Sequence, residues 1–488
     1  ILKIENSQIG IIENDVNYGN RAVSTNSHVS GGALYIANGD ANITNTSTGT
    51  KGLNIGGTFA NNGNTLINNA GQNGLNVNGN INNFGETKLV NTGDKGLNID
   101  GSVINKNGKL TMTNNGVNGL NINKNGSINS QGIEMTNSGN GGLNIKGNVS
   151  NTKDANIINR TGDLNVDGNF KNSGNANFAN GGDAINVSGL IENAEGHLFM
   201  INNGDGGFNI NKSGEIIANG VDLLNNGNNG LNIDGKIFNN GDGKYVNNKG
   251  GLNISSNAQM KNVNGKAYYY NQGNNGININ GNVYNIGESE VNNQKGNLLV
   301  GGNFSNQGDT LFNNRDGELN VSGNINNSNG MLTMVNYGND GFNITKSAKI
   351  IAEGIDLKNN DNKGLNHNGI IQNNGEAFFG NSNGGLNING KVINNGEAKF
   401  INSGDKGLNI NGNIDNKNGK LYLTNSGAEG LNINKNALVN SQGVEILNSG
   451  NKGLNINGEI NNKGTALVNN KAGNLEIGGS FSNNGDST

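Results

Sequence analysis

The chain has 488 residues, a net charge of −4 from 33 basic and 37 acidic side chains, and no Pro, Cys or Trp. The missing cysteines exclude disulfides and thiolate metal sites. Three arginines (Arg21, Arg160, Arg315) are too sparse for a nucleic-acid surface, and no apolar run nears the ~20 residues that span a bilayer.

Residues 1–33 are irregular and are expected to form one or two looser coils; residues 34–488 carry a tandem repeat. Starting at Ile1, without an initiator Met or a signal peptide, the chain reads as a processed product or an excised segment. Roughly a quarter of the residues are asparagine. Such a polar composition would suggest disorder, but the apolar residues recur at fixed places, and that decides for an ordered repeat.

The first phrase is Gly-Leu-Asn-Ile. Its leucine position recurs twenty times from Leu53 to Leu475, 21 to 25 residues apart, with Ile185, Phe208, Ile277 and Phe342 as replacements. Two residues later stands Ile or Val, except at His367, and the residue between is Asn except at Leu299 and Glu476. Apolar, polar, apolar is the period of a strand with one buried face. A second phrase, Gly-x-apolar-x-Asn, follows in most coils, as in Gly79-Ile81-Asn83 and Gly412-Ile414-Asn416. Variants around Lys124, Lys212, Lys346 and Lys435 replace it in four coils. A third phrase, apolar-x-Asn, places its Asn at Asn68 and onward to Asn469, interrupted at Gly380.

Three short strands per coil, joined by Asn/Gly corners that supply positive φ, predict an all-β, single-stranded parallel β-helix of about 20–22 coils. At about 4.8 Å per coil it would form a rod on the order of 100 Å long. Proline is absent because nearly every N–H would serve the ladder between coils. In-register asparagines can bond amide to amide along the axis. The expected inward ladder is Asn91, Asn114, Asn137, Asn159, Asn180, Asn202, Asn225, Asn247, Asn313, Asn336, Asn359, Asn402, Asn425 and Asn448. The asparagines after the leucine are expected to face outward. A higher-order repeat is visible too, since Leu97 to Phe170 matches Leu408 to Phe481 coil for coil, including Ser-Gln-Gly at Ser130 and Ser441. No cap is apparent where the repeat stops, so a continuing chain or another molecule is expected over the open sheet edge.

The phrase Gly-Leu-Asn-Ile-x-Gly-x-Ile-x-Asn and its successors resemble the repeats of filamentous-haemagglutinin-type exoproteins, the large adhesins of two-partner (type Vb) secretion. The resemblance spans essentially the whole chain and is one of repeat style. It implies a right-handed β-helix, an extracellular or cell-surface location on a Gram-negative bacterium, and a shaft whose host-cell, glycan or surface receptor is undefined. The family's Asn-Pro secretion motifs are absent with proline.

Few residues suggest chemistry. His367 has no histidine partner near it, His28 and His197 lying many coils away, and is read as a tolerated core or corner residue. The pairs Glu376/Glu397 and Glu288/Asp309 sit one coil apart at equivalent places and could bind a cation or act as acid and base, as in β-helix polysaccharide lyases; solvated charges beside turns are the expected reading. Tyr268, Tyr269 and Tyr270 would expose one or two rings able to stack on a sugar, or simply make a bulky coil. Sequons such as Asn42-Ile43-Thr44, Asn148-Val149-Ser150, Asn320-Val321-Ser322 and Asn343-Ile344-Thr345 arise by chance in so asparagine-rich a chain. The expected function is a structural or adhesive stalk, not an enzyme, with no cofactor, metal, nucleic acid or membrane insertion. The alternatives are a filament subunit stacking end to end and a polysaccharide lyase or depolymerase.

Overall fold

A computed structural model describes residues 52–488 throughout, and before them the strands Leu2–Lys3, Gly10–Asn17, Val23–Ser24, Ser30–Ile36 and Ala41–Asn45. Much of the irregular 1–33 stretch, with His28, lies outside the described residues. The chain divides into two compact units, Ile1–Asp242 and Gly243–Thr488. Each unit is a parallel β-solenoid of three-stranded coils, and no helix occurs among the described residues.

One coil shows how the sequence makes the turn. Leu97–Ile99 is the first strand, Ser102–Asn105 the second and Leu110–Asn114 the third. Each pairs in parallel with its counterpart in the next coil, placing Leu97 beside Leu120, Val103 beside Ile128 and Asn114 beside Asn137. Unit 1 holds nine first strands and unit 2 eleven. Alternation sends Leu97, Ile99, Val103, Leu110 and Met112 inward, where all are fully buried. Apolar columns therefore fill the interior of each unit, and a side chain gains its burial from the coils above and below as well as its own.

The glycine opening the first phrase has a conformational reason. Gly74 adopts φ 81°, and a Cβ there would lie 2.3 Å from the carbonyl oxygen of Gly96 in the next coil. Any side chain would be strained by the backbone angle and would also push the coils apart. After the strand, the amides of Asn78 and Gly79 both donate to the carbonyl of Ile55 one coil earlier, at 3.0 and 2.8 Å. The ladder thus continues around the corner, leaving few backbone groups for proline to spare.

Candidate functional site: amide columns and an outer groove

The third strand ends in a buried column of asparagines. Among the described side chains of unit 1 it can be followed from Asn69, which donates to Asn91 at 2.9 Å, coil by coil through Asn114, Asn137, Asn159, Asn180 and Asn202 to Asn225. In unit 2 the column runs from Asn247 through Asn271, Asn293 and Asn314 to Asn336 and Asn359. It then passes Asn381, Asn402 and Asn425 to Asn448 and Asn470. Four corrections to the sequence register follow. Asn313 faces partly outward and Asn314 takes the column position. Likewise Asn69 and Asn470, not Asn68 and Asn469, belong to it. Gly380 does not interrupt the column, because Asn381 fills that place. In each case counting by two from the inward apolar residue before (Ile67, Phe312, Phe379, Val468) selects the second of the two positions that follow it.

A second buried column, left unassigned in the sequence, ends the second strand. Asn151 donates to Asn172 at 2.6 Å and Asn172 to Asn193 at 2.7 Å; Asn373 donates to Asn394 at 2.7 Å and Asn394 to Asn416 at 2.8 Å. Ser130, Ala218, Ala352 and Ser441 stand in its place in the four variant coils. A third column, half-buried and outward, follows the leucine: Asn121 donates to Asn98, Asn144 to Asn121 and Asn165 to Asn144, each at 2.8 Å. Its polarity is opposite. Buried amides donate to the following coil, whereas outward amides donate to the preceding one. The backbone fixes both senses, since Asn114 Nδ2 also donates to Gly116 O at 2.8 Å and Asn121 Nδ2 to Asn118 O at 3.1 Å.

His367 lies in the core, fully buried between Ile344 and Ile388 of the adjoining coils. Its Nε2 is 3.2 Å from the carbonyl of Lys391, so Nε2 carries the proton, and Nδ1 is buried without a hydrogen-bond partner. Burial pushes its pKa down to about 4, against the smaller opposing effect of that carbonyl. The neutral ring is a filler of the apolar column, not a base presented to solvent.

Both carboxylate pairs picked from the sequence lie on one outer corner of unit 2, where the second strand turns into the third. Glu288 and Asp309 line a cleft of about 440 Å³ together with Lys266, Glu290 and Met331. Glu376 and Glu397 line a neighbouring cleft of about 200 Å³ with Asp356, Phe378 and Met331. Met331 borders both, so the two clefts adjoin along one groove-like corner with the Met331 side chain between them. Of the four, Glu397 bonds Lys399 at 2.7 Å, and beside them Lys266 bonds Glu290 at 2.6 Å. Partial burial works to raise the Glu290 pKa, but its bonds to Lys266 and Asn292 hold it below the ordinary value.

The register sets which side chains meet at this corner. A residue at this corner reaches diagonally to the outward side chain of the next coil's third strand. Lys109 meets Glu134 in this way, His197 meets Asp222 at 3.5 Å, Lys266 meets Glu290, and Lys420 meets Glu445 at 2.5 Å. Between Lys266 and Lys420 the corner carries Glu288, Asp309, Met331, Gly354, Glu376 and Glu397, which supply no cation to bridge the diagonal. Of the tyrosine run, Tyr269 is buried and stacks on Tyr245, with ring centroids 5.0 Å apart. Tyr268 and Tyr270 face outward, half-buried, and stack on one another at 6.0 Å. Among the sequons, Asn148 is exposed, Asn320 and Asn343 belong to the outward column, and the Asn42 side chain lies outside the described residues.

Among the described residues no group of three or more His, Cys, Asp or Glu is arranged to hold a metal ion, and no helix is long and apolar enough to cross a membrane. No known family model, curated protein or solved structure matches the chain.

Proposed function

We infer that the protein is an extracellular structural and adhesive stalk of the filamentous-haemagglutinin type, exposed at the surface of a Gram-negative bacterium and without chemistry of its own. The observation that carries this reading is the regularity of the coil. Apolar columns, two buried amide columns and an outward amide column repeat from coil to coil within each unit, joined by short corners. Such a design suits display over distance, because each added coil extends the solenoid without a new core.

The test is accessibility and adhesion. Antibodies raised against the chain should label intact producing cells, and beads coated with it should attach to host-cell or glycan-bearing surfaces. Labelling confined to lysed cells would overturn the surface assignment. Turnover on a panel of polysaccharides, lost on replacing Glu376 or Glu397, would favour the lyase alternative. Light scattering separates the stalk from the filament alternative: a discrete mass near 50.6 kDa opposes polymerisation, and species of indefinite length support it.

A further inference from the structure

We propose that the outer groove of unit 2 is the adhesive site itself and takes a non-anionic glycan chain laid along the coil axis; this rests on the adhesive reading above. The pairing register traces its floor. The outward column runs Tyr268, Glu290, Leu311 and Thr333 in successive coils, then Asp356, Phe378 and Lys399. Six coil steps at about 4.8 Å make a track about 30 Å long. Its length suits an extended oligosaccharide better than a compact ligand.

Aromatic rings stand at two points on this track. Tyr268 and Tyr270 form the outward stack at one end. Phe378 lies towards the other, and its ring occupies the space above Gly380. A Cβ on Gly380 would come within 2.5 Å of the Phe378 ring, so the missing side chain is what lets the ring lie down across the strand. The Lys358 ammonium stands 5.6 Å from the ring centroid, so a pyranose stacking its C–H side here would displace that cation or share the ring with it. Beside these platforms the two clefts present six carboxylates (Glu288, Glu290, Asp309, Asp356, Glu376, Glu397) against three ammonium groups, Lys266 and Lys399 in the lining and Lys358 bonded to Asp356 at 2.6 Å. Carboxylates accept hydrogen bonds from sugar hydroxyls, and their excess repels sulfated, sialylated or uronic chains. An ammonium-bearing amino sugar would be favoured over a neutral one.

Unit 1 provides an internal control. The same corner there has a cleft of about 490 Å³ lined by Glu86, Lys109, Lys153 and Asp154, among others, but no aromatic ring. Volume recurs there, but its two carboxylates and two ammonium groups balance and no ring stands in it. That contrast locates the glycan site in unit 2.

Calorimetric titration of the full chain with three hexasaccharides tests the proposal: a neutral hexose chain, an N-deacetylated amino-sugar chain and a heparin fragment. Binding of the amino-sugar chain, with or without the weaker neutral one, and none of the heparin fragment is the expected result. Phe378→Ala and Tyr268→Ala should each weaken binding at least tenfold. Gly380→Val should do the same by lifting the Phe378 ring. All three positions face outward, so circular dichroism and the thermal midpoint should stay unchanged, and these measurements identify any variant that misfolds. The proposal is overturned if neither non-anionic chain binds at millimolar concentration, if heparin binds more tightly, or if binding ignores folded Phe378 and Tyr268 variants. Beads coated with those variants separate the two claims. Adhesion that persists without groove-dependent glycan binding sinks the groove alone, whereas absence of adhesion by the unaltered chain sinks the adhesive reading beneath it.

Discussion

A single buried asparagine shows what holds a coil in register. Asn137 accepts from Asn114, donates to Asn159 and Gly139 O at 2.8 Å each, and accepts from the Gly139 amide at 3.1 Å. Truncation to alanine leaves several buried groups unmet at once, each costing roughly 1–3 kcal/mol. Asn144, in the outward column, makes a similar set of bonds but is half exposed, so water can replace what is lost. Hydrogen exchange should therefore show Asn137→Ala opening the neighbouring coils by about 3 kcal/mol and Asn144→Ala by about 1 kcal/mol or less. Equal effects would mean that the buried column contributes no more than a surface ladder. His367 makes a different prediction, through pH. Its folded pKa of about 4 lies below the ordinary 6.5, so the unfolded chain takes up a proton first as pH falls. Stability is undiminished above about 6.5, declines as pH falls from there to about 4, and loses at most about 3 kcal/mol across that window. His367→Ile, restoring the residue of the flanking coils, should remove this slope and raise stability at neutral pH. Comparing thermal midpoints of the two proteins between pH 7 and 4 isolates the effect from the carboxylates they share. Parallel curves would show that the ring is hydrated or bonded in a way its surroundings do not suggest.

At the scale of the element, the coil is the unit that can be removed. Leu97, Leu120 and Leu143 occupy one column, as do Asn114, Asn137 and Asn159. Excising residues 120–142 should bring each of these columns back into register, and the shortened protein should keep its β-sheet dichroism and a cooperative melt. Excising residues 120–130 alone sets a third strand where a first belongs and should abolish that melt, because a strand slipped out of phase turns its apolar face to water. The same periodicity is why the fold was legible in the sequence. Twenty spaced copies of one phrase fix the number of strands per coil and which leucines stack. Registers at Asn313 and Asn314 were harder, since an Asn doublet offers the column position twice. The parity of Phe312 resolves it, and the same alternation, which led to the expectation that one or two of the three tyrosines are exposed, buries Tyr269 and leaves Tyr268 and Tyr270 outward. The groove was not legible. It depends on which corner residue reaches which outward residue one coil later, a relation between positions about 24 apart that no local pattern marks. Glu376 and Glu397 could be picked out as a pair, but not their neighbours Phe378 and Met331. Gly380 looked like a defect in a polar column and is instead the clearance for a ring.

Across the whole molecule, stability should belong to neighbours and not to coils taken singly. The last first strand, Leu475–Ile477, has the apolar positions of the others, yet Leu475 and Ile477 are each 53% exposed, while Leu454 and Ile456 one coil earlier are 0% exposed. The apolar residues are the same, and the coil on one side is what differs. In a nearest-neighbour system the protection of a coil is set mainly by the two interfaces it makes. In a chain of these 488 residues amide exchange should accordingly be faster at Leu475–Ile477 than at Leu454–Ile456 and slow within a coil or two towards the interior of unit 2. Ending the chain at Asn474 should move that fraying to Leu454–Ile456, raising their exchange rates by orders of magnitude without any change to their own sequence. If Leu454–Ile456 kept their protection after the truncation, each coil would carry its stability internally. The apolar columns and amide ladders would then be decoration on a self-sufficient turn, and the argument that coils fold only in company would fail.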